Sequence, residues 1–132
     1  VQVRNQTVLL RGVNDSGETL GQLLSGLSRV GVVPYYVFQC RPVTGVKERF
    51  QVPIQEGIRI VDAAKARQNG FGKAIRYAMS HPKGKIEILC RLPSGETVFK
   101  FHQSKDDADL ARVFTRTLAP SHTWLDSNLN GI

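Results

Sequence analysis

Few residues in this chain have types and spacings that suggest catalytic chemistry. Ser80 and Lys83 have the serine-x-x-lysine spacing of some acylating enzymes, but the companion motifs are missing, and a turn before a hairpin is the favoured interpretation. Gly70-Phe71-Gly72 is half of a dinucleotide-binding fingerprint. It follows a predicted helix, whereas that motif must follow a strand. Neither motif therefore predicts an active site.

The possible metal ligands are also sparse. The two cysteines, Cys40 and Cys90, cannot supply the thiolates of a structural zinc or iron–sulfur site, and we expect both to be small buried apolar residues. Three histidines lie about twenty residues apart, at His81, His102 and His122. This spacing predicts no ligand pair and hence no metal site.

The chain of 132 residues carries a net charge of +7, which favours anionic partners. Basic residues gather on or near a predicted hairpin: Lys73, Arg76, Lys83, Lys85, Arg91 and Lys100. A basic ribbon could bind phosphate backbones. Charge solvated on an exposed face is the favoured interpretation, and Phe99 and Phe101 are better used in a core than for stacking on bases. A non-catalytic nucleic-acid-binding module therefore remains only an alternative.

No apolar run in the sequence is long enough to predict a membrane-spanning segment. No window holds eighteen apolar residues and no signal peptide is visible, so we expect a cytoplasmic protein with no membrane partner. The chain begins at Val1 without an initiator methionine. We therefore expect it to be a piece of a longer polypeptide.

The elements that would position these residues alternate between strands and helices up to residue 80. Apolar runs at residues 6–12, 32–40 and 74–79 predict strands, the first of them buried on both faces as in a parallel sheet. A helix is predicted between Asn14–Ser16, which can cap it, and Gly31; a second begins at Pro53 and ends at Asn69-Gly70. The long loop between them, residues 41–51, is of the kind that carries function. This order is typical of parallel α/β units.

A different pattern follows His81. Residues 85–92 and 97–101 alternate around Pro93-Ser94-Gly95, which predicts an antiparallel hairpin with one solvent-exposed face. Ser104 and Asp107 form a capping box for a last helix with an apolar stripe of Leu110, Val113, Phe114 and Leu118. Trp124 and Leu125 are expected to anchor the tail. We thus predict two parts, residues 1–80 and an appended hairpin, helix and tail over residues 81–132.

Two blocks of the sequence are more specific than this pattern. They are NQTVLLRGVND at residues 5–15 and PYYVFQC at residues 34–40. Separated by one amphipathic helix, they closely resemble the C-terminal half of the lysine 2,3-aminomutase family of radical S-adenosylmethionine proteins. The likeness extends over residues 3–102, through Gly45, Phe50, Pro53, Gly57-Ile58 and Gly70-Phe71.

The resemblance implies the last strand–helix units of a partial (β/α) TIM-type barrel. In this family a [4Fe–4S] cluster, held by cysteines early in the barrel, cleaves S-adenosylmethionine, and pyridoxal phosphate carries the migrating amino group. It implies that Gln6, with Asn5, contacts S-adenosylmethionine; a rim residue bonded to a neighbouring loop is the alternative for Gln6. It also implies that the aromatic residues Tyr35, Tyr36 and Phe38 line the barrel near the cofactors, although packing alone is the favoured interpretation of aromatic residues on a buried strand.

Two departures from the family pattern bear on function. Arg41 stands where the lysine mutases carry an aspartate that holds the substrate's distal ammonium. A cation cannot hold an ammonium, so we expect a substrate other than lysine, with an anionic group at Arg41. The stretch before the hairpin has neither the family's second aspartate nor its glycine run. Lys83 or Lys85 could serve as the Schiff-base lysine, but both are expected beside the turn in water, which argues against pyridoxal phosphate.

The sequence thus predicts the C-terminal part of a lysine 2,3-aminomutase-like radical enzyme with an altered substrate pocket. This chain alone is expected to be inactive, with no catalytic residue of its own, because the cluster cysteines are outside it. A non-catalytic remnant of the family is a further alternative. The expected partners are the missing N-terminal half of the barrel, a small-molecule substrate, and further copies of the chain that associate through unpaired strand edges.

Overall fold

One sheet contains all six strands, and their order in the sheet follows the sequence. The structure is a computed structural model that describes residues 1–132. The strands are β1 (Val3–Leu9), β2 (Val32–Gln39), β3 (Arg76–His81), β4 (Gly84–Arg91), β5 (Glu96–Ser104) and β6 (Val113–Thr117). The helices are α1 (Gly17–Arg29), α2 (Lys47–Phe50) and α3 (Ile54–Ala66), and a 3₁₀ turn covers Gly70–Ala74. The predicted mixed α/β class is confirmed. None of these helices is both long enough and apolar enough to cross a membrane.

The first three strands are parallel and are joined by α1 and α3. Helix α1 begins after Ser16, whose Oγ accepts a hydrogen bond from the Thr19 amide at 3.1 Å, as expected of an N-cap serine. Its apolar stripe buries Leu20 and Leu24 completely or almost so. The predicted strand–helix–strand–helix–strand order is therefore confirmed, and the loop after β2 also contains the short helix α2.

Strand β1 differs from the prediction, because it is not buried on both faces. It lies at the edge of the sheet, and its side chains alternate: Gln6 and Val8 are exposed, whereas Leu9 is fully buried. Both helices pack on one face of the strands, and no helix packs on the other. The run of apolar residues in β1 therefore lies against a covering layer on one side only.

The last three strands are antiparallel, and β4 and β5 form the predicted hairpin. Strand β4 also pairs with β3 through a turn of two residues, Pro82 and Lys83. Gly84 follows that turn at φ 147°, and a Cβ there would lie 2.1 Å from the Gln103 carbonyl oxygen. Only glycine fits where the backbones of β4 and β5 approach each other this closely. The predicted boundary at residue 80 falls within one continuous sheet, where strand pairing changes from parallel to antiparallel.

The predicted C-terminal helix is wrong, since this segment is a turn followed by β6. Ser104 Oγ accepts from the Asp106 amide at 3.1 Å, and Ala111 has a φ of 64°, so the chain reverses and pairs with β5. Phe114 and Leu118 are buried, but Leu110 and Val113 are each 55% exposed. A spacing of four residues fits strand alternation as well as a helix, and half of the proposed stripe faces solvent.

The tail after β6 packs on the same face of the sheet as the helices. Trp124, Leu125 and Leu129 are buried in the core cluster with Phe99 and Phe101 of β5. The predicted anchoring by Trp124 and Leu125 is therefore confirmed. The sheet thus has a covered face, under α1, α3 and the tail, and an open face. The open face carries Gln6, Val8, Tyr36, Phe38, Arg76, Ala78, Ser80, Lys85, Glu87, Lys100 and His102.

Candidate functional site

Arg41 and Ser80 meet where the parallel strands β2 and β3 end. Arg41 lies two residues beyond β2, and its Nη2 donates a hydrogen bond to Ser80 Oγ at 2.8 Å. The guanidinium remains exposed. Ligands of α/β proteins bind at the carboxyl ends of parallel strands. The predicted substrate-binding residue therefore lies at the expected edge, and its role stays a prediction.

A cleft of about 580 Å³ opens beside Arg41. It is lined by Arg41, Pro42, Val43, Ser80, His81, Pro82, Lys105 and Trp124. Lys105, from the loop after β5, was not singled out by sequence reasoning. Its contribution could not be foreseen because that loop was assigned to a helix, which would have directed its side chains elsewhere.

His81 shapes the cleft wall and is held by hydrogen bonds on both ring nitrogens. Its Nδ1 accepts from the Lys83 amide at 3.1 Å, and Nε2 lies 3.1 Å from the Leu125 carbonyl oxygen. These partners require a neutral ring with its proton on Nε2. The ring also stacks on Trp124 at 6.1 Å between centroids. His81 therefore fastens the tail to β3 and has no free nitrogen for catalysis.

The aromatic residues Tyr36 and Phe38 lie together on the open face. Their rings stack at 5.0 Å between centroids, and Lys85 Nζ lies 4.5 Å from the Tyr36 centroid and 5.5 Å from that of Phe38. This cation–π contact covers Tyr36, which is only 2% exposed. Burial, followed by the neighbouring Tyr35, raises the pKa of Tyr36 to about 12. Tyr36 is therefore a neutral hydrogen-bonding group at physiological pH.

Glu87 forms a charged cluster next to these rings. Its Oε1 accepts from Arg76 Nη1 at 2.5 Å and lies 3.4 Å from His102 Nδ1. Glu87 is 8% exposed, and His102 also meets the edge of Tyr36 at 6.0 Å between centroids. The alternation over residues 85–92 predicts Glu87 on the solvent-exposed face of the hairpin, which is wrong because Glu87 is buried beside Arg76 and His102. The alternating pattern of β4 separates Glu87 from the apolar face, whereas the partners that bury it come from two other strands.

The remaining predicted site residues lie on β1 and β2. Gln6 is exposed on the open face and is opposite Tyr36 in the strand register. Asn5 Oδ1 accepts from Thr7 Oγ1 at 2.6 Å. Tyr35 lies at a register shift between the strands and packs its ring 4.2 Å from that of Tyr36. The fold therefore brings Gln6, Tyr36 and Phe38 to one surface, while Arg41 lies beyond it at the strand ends.

The cysteines test whether this chain could hold an iron–sulfur cluster. Cys40 is buried, which raises the pKa of its thiol, whereas Cys90 is exposed; the expectation that both are buried is wrong for Cys90, which lies by a register shift in β4. No three His, Cys, Asp or Glu side chains gather into a group that could hold a metal ion. The residues present therefore do not fit a [4Fe–4S] cluster.

Comparisons with known proteins show which sequences this chain is similar to. No protein-family model matches the chain. A protein of Aquifex aeolicus named "Putative L-lysine 2,3-aminomutase" is 43% identical over 122 residues, which cover 92% of this chain and 32% of that protein. L-lysine 2,3-aminomutase of Clostridium subterminale is 38% identical over 54% of this chain and 17% of the enzyme. That of Methanococcus maripaludis is 33% identical over 67% of the chain and 21% of the enzyme.

Fold and site define an α/β protein with a cleft at the carboxyl ends of parallel strands and an open face of aromatic and charged residues. With these comparisons, the chain is recognised as a lysine 2,3-aminomutase-like sequence, corresponding to the C-terminal part of those proteins. It spans about a third or less of the length of the relatives it matches.

Proposed function

We propose that this chain is the C-terminal part of a radical S-adenosylmethionine enzyme of the lysine 2,3-aminomutase type, and that β1, β2 and β3 are the last strands of its partial barrel. The observation that carries the proposal is 43% identity to one such protein over 92% of the chain. The one-sided packing of α1 and α3 supports it, because the helices of a (β/α) barrel form an outer ring and leave the inner face of the strands without helices.

The open face then forms part of the inner wall. Gln6, an exposed amide opposite Tyr36, fits a polar contact to S-adenosylmethionine, whereas Asn5 lies on the other face of β1 with Thr7, from which it accepts a hydrogen bond. Tyr36 and Phe38 would exclude water from that side of the chamber. Gln6 would contact the cofactor, residues outside this chain would hold the cluster, and the two groups together would supply the carbon-radical chemistry of the whole enzyme. The chain alone is then inactive in radical chemistry.

Pyridoxal phosphate does not fit the residues present. The connection between β3 and β4 is a turn of two residues, Pro82 and Lys83, with no glycine run whose amides could cradle a phosphate. Lys85 Nζ is packed on the Tyr36 ring at 4.5 Å, so this amine is already engaged and is not presented to the carbonyl group with which a Schiff-base lysine reacts. We therefore propose chemistry that does not use this cofactor.

The substrate pocket is proposed to differ from that of the lysine mutases. Arg41 at the carboxyl end of β2 is held by Ser80 at 2.8 Å, and no carboxylate lines its cleft. An ammonium group would be repelled there. The substrate is therefore not lysine.

The full-length protein that contains this chain provides the test. After anaerobic reconstitution with iron and sulfide and reduction, it should cleave S-adenosylmethionine to 5′-deoxyadenosine and methionine, measured by liquid chromatography. Lysine should yield no β-lysine. A matched preparation in which the cluster cysteines are replaced by alanine should be inactive. A full-length protein without a cysteine triad, or with a loaded cluster and no cleavage, would contradict the proposal and favour the non-catalytic alternative.

A further inference from the structure

Two adjoining clefts surround the hydroxyl of Ser80 at the end of β3. The first, of about 580 Å³, includes Arg41 and Lys105. The second, of about 630 Å³, is lined by Ser80, His81, Gly84, Lys85, Gln103, Ser104, Lys105 and Leu110. They share Ser80, His81 and Lys105, so that Ser80 lines these clefts together with three cationic residues from three different segments: Arg41 in the loop after β2, Lys85 on strand β4 and Lys105 in the loop after β5.

The cations of these clefts have no acidic counterpart. No Asp or Glu lines either cleft, and none of Arg41, Lys85 and Lys105 belongs to an ion pair. Lys105 also borders a smaller depression that contains Asp106 and Asp109. Asp109 is paired with Arg112 Nε at 2.8 Å, and Asp106 accepts from the Ala108 amide at 3.0 Å. Within the walls of the two clefts, no carboxylate offsets the positive charge.

The hydrogen-bond donors in the first cleft are also incompletely used. Ser80 Oγ accepts from Arg41 Nη2, which leaves the hydroxyl proton free to donate. A guanidinium has five N–H donors in a planar fork, and one of them meets Ser80. His81 lies at the wall with both nitrogens occupied. Arg41, Ser80 and Lys105 thus offer charged and neutral donors, which is the arrangement that recognises an oxyanion.

We propose that this double cleft binds a doubly charged oxyanion of a small-molecule ligand, with Arg41, Ser80 and Lys105 as its donors and Lys85 supplying further positive charge. Two or three cations with no carboxylate in the cleft walls match a dianion such as a phosphate monoester or a dicarboxylate better than a single carboxylate. The inference deepens the proposed function, on which it rests for the ligand's identity as substrate. Binding itself requires neither the cluster nor the radical.

Calorimetric titration of this chain tests the proposal, with inorganic phosphate and succinate as dianions and acetate as the monoanion. Phosphate or succinate should bind more tightly than acetate, and the tighter of the two identifies the oxyanion. Arg41→Gln should lower the affinity for that dianion about tenfold or more, and Lys105→Gln should lower it to a similar degree, because each removes a charge-assisted hydrogen bond. Ser80→Ala should weaken it about twofold to tenfold.

Matched controls separate a site from general charge. Arg59→Gln, on an exposed position of α3, and Lys47→Gln, on α2, remove the same charge away from the clefts. Both should leave affinity within about twofold. The proposal is overturned if neither dianion binds, or if the controls weaken binding as much as Arg41→Gln. It is also overturned if an oligonucleotide binds far more tightly than either dianion with a steep salt dependence, which would make the surface a nucleic-acid interface.

Failure of this test leaves the proposed function standing, and the reverse also holds. A full-length protein that cleaves S-adenosylmethionine while this chain binds no dianion would place the substrate elsewhere in the barrel. A chain that binds a dianion through Arg41 and Lys105 within a protein that has no radical activity would identify a binding site alone.

Discussion

At the scale of single residues, a buried glutamine joins three segments that are distant in sequence. Gln39 Nε2 donates to the carbonyl oxygens of Val52 at 2.6 Å and Thr123 at 2.9 Å, and its Oε1 accepts from the Tyr77 hydroxyl. Gln39 is 2% exposed. Every hydrogen-bonding atom of this amide is therefore used, as burial of a polar group requires.

We expect Tyr77→Phe to lower the free energy of unfolding by about 1–3 kcal/mol, because it leaves the Gln39 carbonyl oxygen buried without a donor. Urea denaturation followed by circular dichroism measures the change. Tyr35→Phe, at a half-buried position, is the matched control and should change it by less than about 0.5 kcal/mol. Equal effects of the two substitutions would exclude the special role of the Gln39 network.

An ion cluster around Arg11 makes the free energy of unfolding depend on pH. Arg11 bonds both oxygens of Glu56, at 2.8 and 2.6 Å, and Asp15 at 3.1 Å. The hydrogen bond from Arg11 lowers the pKa of Glu56; that of Asp15 is lowered chiefly by the Gly12 amide and further by Arg11. The folded state then binds fewer protons than the unfolded state in acid. The stabilisation is present above the ordinary values of 3.8 and 4.5 and is lost as pH falls through the lower folded values.

We therefore expect Glu56→Gln to flatten the rise of unfolding free energy with pH over about pH 3–5. Urea denaturation at a series of pH values provides the measurement. Glu48→Gln, on an exposed residue of α2 outside any ion pair, should leave the profile unchanged. A variant profile parallel to that of the original chain would show that the Arg11 cluster does not contribute.

At the scale of elements, local patterns predict the strands and helices of the parallel half but not the end of the chain. Ser16, the leucines of α1 and the turn at Ser94-Gly95 act within a few residues of their own positions, so the sequence reveals them. The segment after Ser104 has two patterns of equal local merit, helix and strand. The choice depends on pairing with β5, through Phe99 and Phe114, which no local pattern contains.

The candidate site shows the same division. Arg41 and the alternation that puts Lys85 and Glu87 on one face could be recognised from the sequence. Lys105 and the contacts of Glu87 with Arg76 and His102 could not, because they depend on how β3, β4 and β5 align across register shifts near Lys85 and Cys90.

Two glycines test the close approach of β4 and β5 and the open space beside α1. Gly84→Ala should destabilise the fold by about 2 kcal/mol or more, since its Cβ would meet the Gln103 carbonyl oxygen at 2.1 Å and its φ is 147°. Gly26→Ala, within α1 and with open space around it, should stabilise by about 0.5–1 kcal/mol. Thermal unfolding of the pair measures both signs. A tolerated alanine at residue 84 would contradict the close approach of β4 and β5.

At the scale of the whole molecule, the open face and the β1 edge have no covering layer within this chain. Val3 and Val8 on β1 are 54% and 41% exposed, and an unpaired strand edge is a template for pairing. We propose that this edge is where the preceding part of the barrel, or a second copy of the chain, attaches.

Sedimentation velocity should then detect association that increases with concentration. Val8→Lys should weaken it, because charge on an edge strand opposes pairing. Val30→Lys, at a residue 75% exposed at the end of α1, should not. A single monomeric boundary at every concentration would refute association through this edge.

The two halves of the sheet meet at β3, and the Arg41 cleft draws one donor from each half. Arg41 follows a parallel strand, whereas Lys105 lies in the loop between β5 and β6, which ends near Ala111, a residue with a positive φ of 64°. Insertions or deletions in that loop would alter the reach of Lys105 without disturbing the strand that carries Arg41. In the proposed binding mode, remodelling this surface loop would change ligand choice without altering the strands that support the chemistry.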